Sequence, residues 1–303
     1  MNIYYGISGN TFDVTDICYN LLKYNNVIII PSGDIYRYLY FKDPCPGILK
    51  TVFIKNNQDN TMIEYDETHT IKINIINNTV ESIQKKYIDV DLKLGDIHSN
   101  LEILYGSLKE ELPEQKMVVR YLTGNEKVLE IGGNIGRNSL VISKILGNDN
   151  SKNFVSLECD KDIAKQLKEN RDLNNMNFHI ESSALSIRKL IQIGWDTIVS
   201  DILLEGYKNV DIISYSELCN KYNIIFDTLI IDCEGAFYYI LIDMPEILNN
   251  INLIIMENDY WDISKKKYID EILKNNNFYI DYVEPGGWGP CINNFYEVWK
   301  KNN

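Results

Sequence analysis

The sequence predicts an α/β protein in which a seven-stranded, mostly parallel sheet follows a small, mostly β module. Three observations lead to this prediction. From about residue 127 onward, short apolar runs alternate with helical patterns, as in parallel strands joined by crossover helices. The last two apolar runs have no helix between them, which indicates a hairpin. The earlier part has short strands and Asn-rich turns, so we predict an accessory module over 1–95 and a main domain over 96–303.

The predicted elements of the main domain follow one another in a regular order. Strands are predicted over 127–131, 153–158, 177–181, 226–232 and 252–257, and helices over 139–146, 161–173 and 235–242. The hairpin takes 278–283 and 295–299. Five parallel strands followed by an antiparallel hairpin are the Rossmann-like layout of a class I methyltransferase sheet. A dinucleotide dehydrogenase more often ends its sheet with a parallel strand.

The accessory module is predicted to hold one helix and several short strands. The helix spans 14–22, and the strands span 27–30, 49–54, 61–65 and 70–76. The aromatic-rich segment 36–41 is predicted as an alternating strand beside the proline turn 43–47, and the alternative is a substrate-facing loop. Helical patterns over 83–87, 101–108 and 117–122 predict a bridge into the main domain.

The charge of the chain argues against nucleic acid as a partner. Its 303 residues carry a net charge of −13 at pH 7, and acidic chains without basic blocks bind phosphate backbones poorly. The compact basic run 265–267 is interpreted as the solvated face of a helix. We therefore expect no nucleic-acid partner.

Cysteine usage and hydropathy predict a soluble cytoplasmic protein. None of the six cysteines forms a C-x-x-C pair, so we expect reduced thiols in a reducing compartment. The three histidines are too scattered for a metal cluster. The start of the chain lacks the pattern of a signal peptide, and apolar runs are too short to span a bilayer, so we expect no membrane partner.

The glycine-rich turn after the first predicted main-domain strand is the most informative motif. Glu130-Ile-Gly-Gly-Asn-Ile-Gly136 joins a strand to a helix, which is how an α/β sheet receives a nucleotide-like cofactor. An acid in this turn would repel a pyrophosphate but suits a cationic ligand such as S-adenosylmethionine. Glu158 ends the second strand about 20 residues later, where an acid can bind both ribose hydroxyls. The alternatives are an ordinary strand–turn–helix and a solvated glutamate.

Three more acids follow the fourth and fifth predicted strands. Asp232 and Glu234 are two residues apart and would point the same way on an extended chain, and Glu257 ends the next strand. Acids gathered in a cleft raise one another's pKa, which favours a general base for removing the acceptor's proton. Alternatively, Asp232, Glu257 and Asn258 form an oxygen-rich set for a divalent metal such as Mg²⁺. Asp232 and Glu234 are also compatible with a simple helix cap.

Over about residues 127–260, the chain resembles the FkbM family of methyltransferases. The stretch Glu130–Gly136 is similar to the family's Asp-Val-Gly-Ala-Asn-Ile-Gly, and Leu157-Glu158-Cys159 resembles its Phe-Glu-Pro. Ile230-Ile-Asp-Cys-Glu-Gly235 resembles its Lys-Ile-Asp-Val-Glu-Gly. The departures, such as Glu130 for Asp, remove neither a carboxylate nor a needed glycine. The accessory module lies outside the resemblance.

The resemblance implies S-adenosylmethionine-dependent O-methylation, with a sugar or glycan hydroxyl, or another small molecule, as acceptor. It implies that the cofactor is bound by Glu130, Gly132, Gly133, Asn134, Gly136, Asn138, Glu158, Ser183, Ala184 and Asp232. Within that set Glu158 holds the ribose, and Ser183 and Ala184 lie near the adenine. Asp232, Glu234 and Glu257 are the expected catalytic residues. An RNA or cap methyltransferase, a non-catalytic cofactor-binding scaffold and an NAD enzyme remain alternatives, and a homodimer is compatible with the sequence.

Overall fold

The computed structural model describes residues 1–57, 59–84 and 90–302. The chain divides into two compact units. The first contains Met1–Tyr87 and Tyr279–Glu284, and the second contains Ile88–Phe278 and Pro285–Asn303.

The N-terminal part of the first unit is built from two antiparallel four-stranded sheets. Its elements are β1 (Asn2–Ile7), β2 (Asn10–Asp13), α1 (Thr15–Leu21), β3 (Lys23–Tyr24), β4 (Val27–Ile30), α2 (Asp34–Phe41), β5 (Thr51–Lys55), β6 (Met62–Tyr65), β7 (His69–Asn74) and β8 (Thr79–Gln84). The strand orders are β2-β1-β5-β6 and β3-β4-β7-β8. Alternating apolar side chains from both sheets, including Tyr5, Ile28, Val52 and Ile71, form the buried core.

One element of this unit contradicts the sequence prediction. The segment predicted as an alternating aromatic strand over 36–41 is part of helix α2. Arg37 and Phe41, four residues apart, occupy one helical face and are both fully buried. The Arg37 guanidinium donates hydrogen bonds to the backbone carbonyls of Pro31, Tyr65 and His69, which satisfies the buried charge. The two-residue aromatic spacing was therefore misleading, because burial follows the four-residue spacing.

The second unit contains most of the longer helices and the largest sheet. Its elements, with the edge strand β19, are α3 (Val90–Ser99), α4 (Leu112–Tyr121), β9 (Val128–Ile131), α5 (Arg137–Asn150), β10 (Phe154–Leu157), α6 (Lys161–Leu173), β11 (His179–Glu181), β12 (Ala184–Leu185), β13 (Leu190–Ile193), β14 (Asp196–Val199), β15 (Lys208–Val210), β16 (Ile212–Ile213), α7 (Tyr215–Tyr222), β17 (Thr228–Ile231), α8 (Phe237–Asp243), β18 (Leu253–Glu257), α9 (Ile263–Asn275), β19 (Phe278–Glu284) and β20 (Tyr296–Lys301).

The seven-stranded sheet has the order β11-β10-β9-β17-β18-β20-β19. The first five strands are parallel, and β20 runs antiparallel to β18. Every residue of β9, β10 and β17 is buried, as expected for central strands covered on both faces. This arrangement confirms the predicted Rossmann-like class I methyltransferase sheet. The strand order reverses between β9 and β17, so ligands are expected at the carboxyl ends of these two strands.

Two predicted bridging helices differ in the structure. Residues 101–108 contain no helix, because their backbone N–H groups are bound by side chains of α6. Asn170 Oδ1 accepts from Leu104 and Tyr105, and Asn174 Oδ1 accepts from Glu102. Residues 83 and 84 belong to strand β8, and the rest of the predicted helix 83–87 lies outside the described residues. The third helix, predicted over 117–122, is confirmed within α4.

Two other features of the second unit were not foreseen. Strands β13, β14 and β15 form a separate antiparallel sheet. The prediction of a solvated basic run over 265–267 is wrong for its middle residue. Lys266 is buried and forms ion pairs with Asp270 and Glu297.

All six cysteine thiols are free in the described chain. Among the described residues, no helix combines the length and the apolar character required to cross a bilayer.

Candidate active site

The turn between β9 and α5 fits tightly against neighbouring parts of the protein. Gly132 and Gly136 have φ values of 96° and 97°, in the region where glycine is favoured. A Cβ atom on Gly132 would lie 1.5 Å from the backbone oxygen of Asp232, and one on Gly133 would lie 2.1 Å from Ser156 Oγ. The glycines therefore allow the loops after β9 and β17 to touch. The positions that Cβ atoms on Gly132 and Gly133 would take are occupied by protein.

Glu130 lies inside strand β9 and is almost completely buried. Its Oε2 atom accepts hydrogen bonds from the hydroxyls of Ser139 and Ser156, the latter at 2.6 Å. Burial raises the pKa of Glu130 to about 7, against the lowering effect of the two hydroxyls. The residue also lines the candidate crevice described below. Glu130 therefore contributes to the crevice lining a carboxyl group whose pKa is near neutral pH.

Glu158 connects the loops that follow β9 and β10. Its Oε2 accepts the backbone N–H of Asn134 at 3.0 Å, and its Oε1 accepts that of Asp160 at 2.8 Å. Asn134 itself has a left-handed backbone, with φ of 46°. Each carboxylate oxygen offers two lone pairs, so both retain acceptor capacity for a ligand hydroxyl. Burial raises the pKa of Glu158.

Ser183 and Ala184 follow the carboxyl end of β11. The Ser183 hydroxyl donates to Glu181 at 2.9 Å, and Lys221 and Tyr222 donate to the same carboxylate. Burial would raise the pKa of Glu181, but these hydrogen bonds outweigh it and lower the pKa. Two strands, β10 and β9, separate β11 from β17 in the sheet. Ser183 and Ala184, which are predicted to lie near the adenine, are therefore at the same sheet edge as Glu158. They lie on the side of Glu158 that faces away from β17.

A narrow crevice lies at the carboxyl ends of β9, β17 and β18, under the first turns of α4. Its lining includes the backbone of Gly132 and Gly133 and the side chain of Asn138. The buried Oδ1 atom of Asn138 has no hydrogen-bond partner among the described residues. Five carboxyl groups also line it, namely Glu111, Glu114, Glu130, Asp232 and Glu257. The crevice therefore has the negative character that the sequence predicted for this edge of the sheet.

Three of these carboxyl groups form a compact cluster. Glu114, Asp232 and Glu257 each place one oxygen within 4.8 Å of the others. Burial, a hydrogen bond that protonated Glu257 donates to Glu114 and the charge of Asp232 raise the pKa of Glu257 to about 11. Burial and neighbouring acids likewise raise the pKa of Asp232. At neutral pH Glu257 therefore holds a proton that a bound cation would displace.

Glu114 is the cluster member that sequence reasoning missed. It lies in the first turn of α4, on the same face as the buried Met117 and Val118. Only 7% of the residue is exposed, and its Oε2 has no hydrogen-bond partner among the described residues. An acid on the apolar face of a helix was the available signal, because such a face normally excludes unpaired charge.

Glu234 and Asp232 do not lie on one extended strand. Strand β17 ends at Ile231, and Glu234 has a left-handed backbone with φ of 50°. Glu234 is exposed, and its carboxyl group is hydrogen-bonded to that of Asp259. Burial, followed by the charge of Glu234, raises the pKa of Asp259 to about 7. Asp232 and Glu234, two of the three predicted catalytic acids, therefore belong to different groups of acids. Asp232 belongs to the cluster with Glu114 and Glu257, and Glu234 is paired with Asp259.

Asn258 is fully buried beside the cluster. Its side-chain amide donates to the backbone oxygen of Asn294 at 2.7 Å, and its Oδ1 has no partner among the described residues. In the structure, Asp232 and Glu257 of the predicted metal set are grouped with Glu114. These three side chains have the hard oxygen ligands that Mg²⁺ and Ca²⁺ prefer.

A basic side chain beside the crevice lining is already paired. Arg137 binds Glu110 at 2.5 Å and Glu111 at 2.7 Å. Both carboxylates precede α4, and this ion pair compensates Glu111 of the crevice lining without involving Glu114, Asp232 or Glu257. The crevice therefore suits a positively charged ligand group, either an organic cation or a divalent metal.

No protein-family model matches the sequence, and no curated protein is detectably similar to it. Solved structures with a similar fold include the O-methyltransferase from Bacillus cereus in complex with SAH, at 14% identity, a TM-score of 0.41 and coverage of 71% of this chain and 92% of that one. The ribosomal protein L11 methylase from Lactobacillus delbrueckii subsp. bulgaricus matches at 13% identity and a TM-score of 0.42, covering 67% and 84%. Aeropyrum pernix fibrillarin with bound S-adenosyl-L-methionine matches at 9% identity and a TM-score of 0.41. The match covers 84% of this chain and 100% of that one.

Proposed function

We propose that the protein is an S-adenosylmethionine-dependent O-methyltransferase of the FkbM type. The observation that carries the proposal is the carboxyl-lined crevice at the point where the strand order of a seven-stranded sheet reverses. A pyrophosphate cofactor would meet five carboxyl groups there, whereas a sulfonium and an ammonium group would be attracted by them.

The residues around the crevice have the chemistry needed to bind the separate parts of that cofactor. The unpaired Oδ1 of Asn138 and the Gly132–Gly133 backbone suit the methionine end. Glu158 has free lone pairs for the ribose hydroxyls. Ser183 and Ala184, beyond Glu158 along the sheet edge, are proposed to border the adenine.

When bound, S-adenosylmethionine supplies an electrophilic methyl group. The protein would align an acceptor hydroxyl with that methyl carbon and remove the hydroxyl proton as the new C–O bond forms and the S–CH3 bond breaks, with S-adenosylhomocysteine as the leaving group. The Glu234–Asp259 pair is suited to accept this proton, because the pKa of Asp259 is about 7. Asp232 and Glu257 are proposed to border the methyl group and to stabilise the positive donor.

A divalent cation is the alternative occupant of the Glu114 cluster. The specific observation in its favour is that three carboxylate oxygens meet within 4.8 Å. A metal there would hold acceptor oxygens beside the methyl donor. The two occupants differ in their response to chelation, since a chelator removes a metal ion and leaves the organic cation in place.

A sugar or glycan hydroxyl, or that of another small molecule, is the proposed acceptor, because the acidic crevice disfavours phosphate-rich acceptors. An RNA or cap methyltransferase is the alternative. One assay distinguishes the two: incubation with tritiated S-adenosylmethionine and either a glycan extract or capped RNA should label the glycan fraction. Label in capped RNA alone would contradict the proposed acceptor.

Two matched variants test the site itself. Glu158→Ala should abolish S-adenosylhomocysteine binding measured by calorimetry, because the ribose loses its acceptor. Glu126→Ala is the control, since Glu126 also holds loop N–H groups, those of Thr123 and Gly124, but precedes β9 at the opposite sheet edge. Equal binding by the two variants would contradict the ribose assignment.

A further inference from the structure

Two exposed tryptophans stack on each other after β18 and before β20. The ring centroids of Trp261 and Trp288 are 4.6 Å apart, with an angle of 35° between the ring planes. Trp261 is 76% exposed and Trp288 is 38% exposed. Aromatic surface of this size is costly to leave in water, and such patches commonly mark binding sites.

The loop that carries Trp288 is built to hold it in place. A Cβ atom on Gly286 would lie 2.5 Å from the Tyr296 ring, and one on Gly287 would lie 2.2 Å from the Phe295 ring. Glycines at these positions allow the loop to lie directly on two aromatic rings. Trp288 also contacts Phe295, with ring centroids 6.3 Å apart. The stacked pair is therefore a preformed surface.

The pair lies at the sheet edge that contains the candidate crevice. Glu257, the last residue of β18, is opposite Tyr296, the first residue of β20. The segments carrying Trp261 and Trp288 both extend beyond this pairing. Asp259 of the Glu234–Asp259 acid pair lies between Glu257 of the cluster and Trp261 in the chain, two residues from each.

Asp259 gives an independent indication of a missing polar partner. Only 8% of the residue is exposed, and its Oδ2 atom has no hydrogen-bond donor among the described residues other than the carboxyl group of Glu234. A buried acceptor without a partner costs stability unless a ligand donor satisfies it. A hydroxyl group is such a donor.

We infer that Trp261 and Trp288 form the acceptor platform for an uncharged carbohydrate, with Asp259 and Glu234 as acceptors for its hydroxyl groups. The C–H face of a pyranose carries partial positive charge and packs on the negative face of an indole ring. The acids beside the platform, Asp259, Glu234 and the nearby Asp262, disfavour phosphorylated ligands. This inference deepens the proposed methyltransferase function and rests on it for the identity of the bound sugar as acceptor.

Carbohydrate binding can be measured without methyl transfer. Saturation-transfer NMR and tryptophan fluorescence would be recorded with a panel of neutral methyl pyranosides and their oligosaccharides. We expect at least one to bind, and Trp261→Ala to weaken that binding about tenfold, as expected for loss of one stacking surface. Trp261→Phe should retain most of it. Trp195→Ala is the matched control, because Trp195 is 62% exposed and lies between β13 and β14.

The outcomes separate the platform from the proposed function. Absence of binding across the neutral panel, equal losses in Trp261→Ala and Trp195→Ala, or binding of a cap analogue alone would overturn the platform. S-adenosylhomocysteine calorimetry on the same samples should give wild-type affinity for Trp261→Ala. If the cofactor analogue fails to bind wild-type protein while sugars bind through Trp261, the methyltransferase proposal fails and the carbohydrate platform stands.

Discussion

Glu114 and Glu257 meet through their carboxyl groups, although one lies in the first turn of α4 and the other ends β18. Two carboxyl groups can form such a hydrogen bond only when they hold a proton between them. With Asp232 beside them, Glu257 holds a proton in the absence of a ligand and can exchange it for a positive charge. This property, the buried Glu130 and the packing of the glycine turn lead to four predictions.

The first prediction concerns the sulfonium. S-adenosylmethionine and S-adenosylhomocysteine differ by one methyl group and the positive charge on sulfur. Glu114→Gln removes one ionisable member of the cluster, so we expect affinity for S-adenosylmethionine to fall about tenfold and affinity for S-adenosylhomocysteine to change by less than about twofold. Glu110→Gln is the control, because Glu110 is an exposed partner of Arg137. Equal losses for both ligands would contradict recognition of the sulfonium.

The second prediction concerns metal dependence. We expect EDTA to leave cofactor binding and methyl transfer within about twofold of the untreated protein, because the donor itself supplies the positive charge that the cluster lacks. Activity and elemental analysis after dialysis would measure this. If EDTA removes the activity, Mg²⁺ restores it and the Glu114→Gln variant is inactive even with Mg²⁺, the cluster would instead be assigned to a divalent metal.

The third prediction is a pH dependence of stability. The pKa of Glu130 is about 7 in the folded protein and 4.5 in the reference state. Between these values the folded chain retains a proton that the unfolded chain has released, so stability falls as pH rises through this window. Glu130→Gln preserves the acceptor for Ser139 and Ser156 but cannot ionise. As the pH rises from about 4.5 to 7, the free energy of unfolding of Glu130→Gln should increase by about 3 kcal/mol relative to that of the wild type.

Urea unfolding at several pH values measures this difference. Glu126→Gln provides a control of opposite sign, because hydrogen bonds from Thr123 and Gly124 outweigh burial and lower the pKa of Glu126. Parallel stability curves for wild type and Glu130→Gln would show that Glu130 ionises normally.

The fourth prediction concerns the contact between the two loops. Gly132→Ala would place a methyl group 1.5 Å from the Asp232 carbonyl oxygen, so we expect a loss of more than about 4 kcal/mol in the free energy of unfolding. Gly147 also has a positive φ, 71°, but a Cβ atom added there would meet nothing within 4 Å among the described residues. Gly147→Ala should therefore cost less, about 1–3 kcal/mol, from its backbone conformation alone. Similar losses in both variants would contradict tight packing of the turn.

The sheet was predictable because its strands are short apolar runs that end in acids or glycines. The antiparallel direction of β20 followed from the absence of a helical pattern before residue 295. Local patterns failed where a distant side chain decides the backbone conformation. Asn170 binds the N–H groups of Leu104 and Tyr105, and its effect is invisible in the periodicity of residues 101–108.

The site was predictable only in part, for a similar reason. Glu130, Asn138, Asp232 and Glu257 line one crevice because strands and turns of known order bring them together. Glu114 was missed, because its place over the crevice depends on how α4 packs on the sheet. The expected alignment of Asp232 with Glu234 assumed an extended chain, but the left-handed residue Glu234 directs its carboxyl group to Asp259.

The most direct test of the central claim is a crystal structure of the protein with S-adenosylhomocysteine. The account predicts density for the ligand in the crevice, with the ribose hydroxyls bound to Glu158 and the amino acid end beside Gly132 and Asn138. An empty crevice at saturating ligand, or a ligand bound away from Glu158, would contradict it.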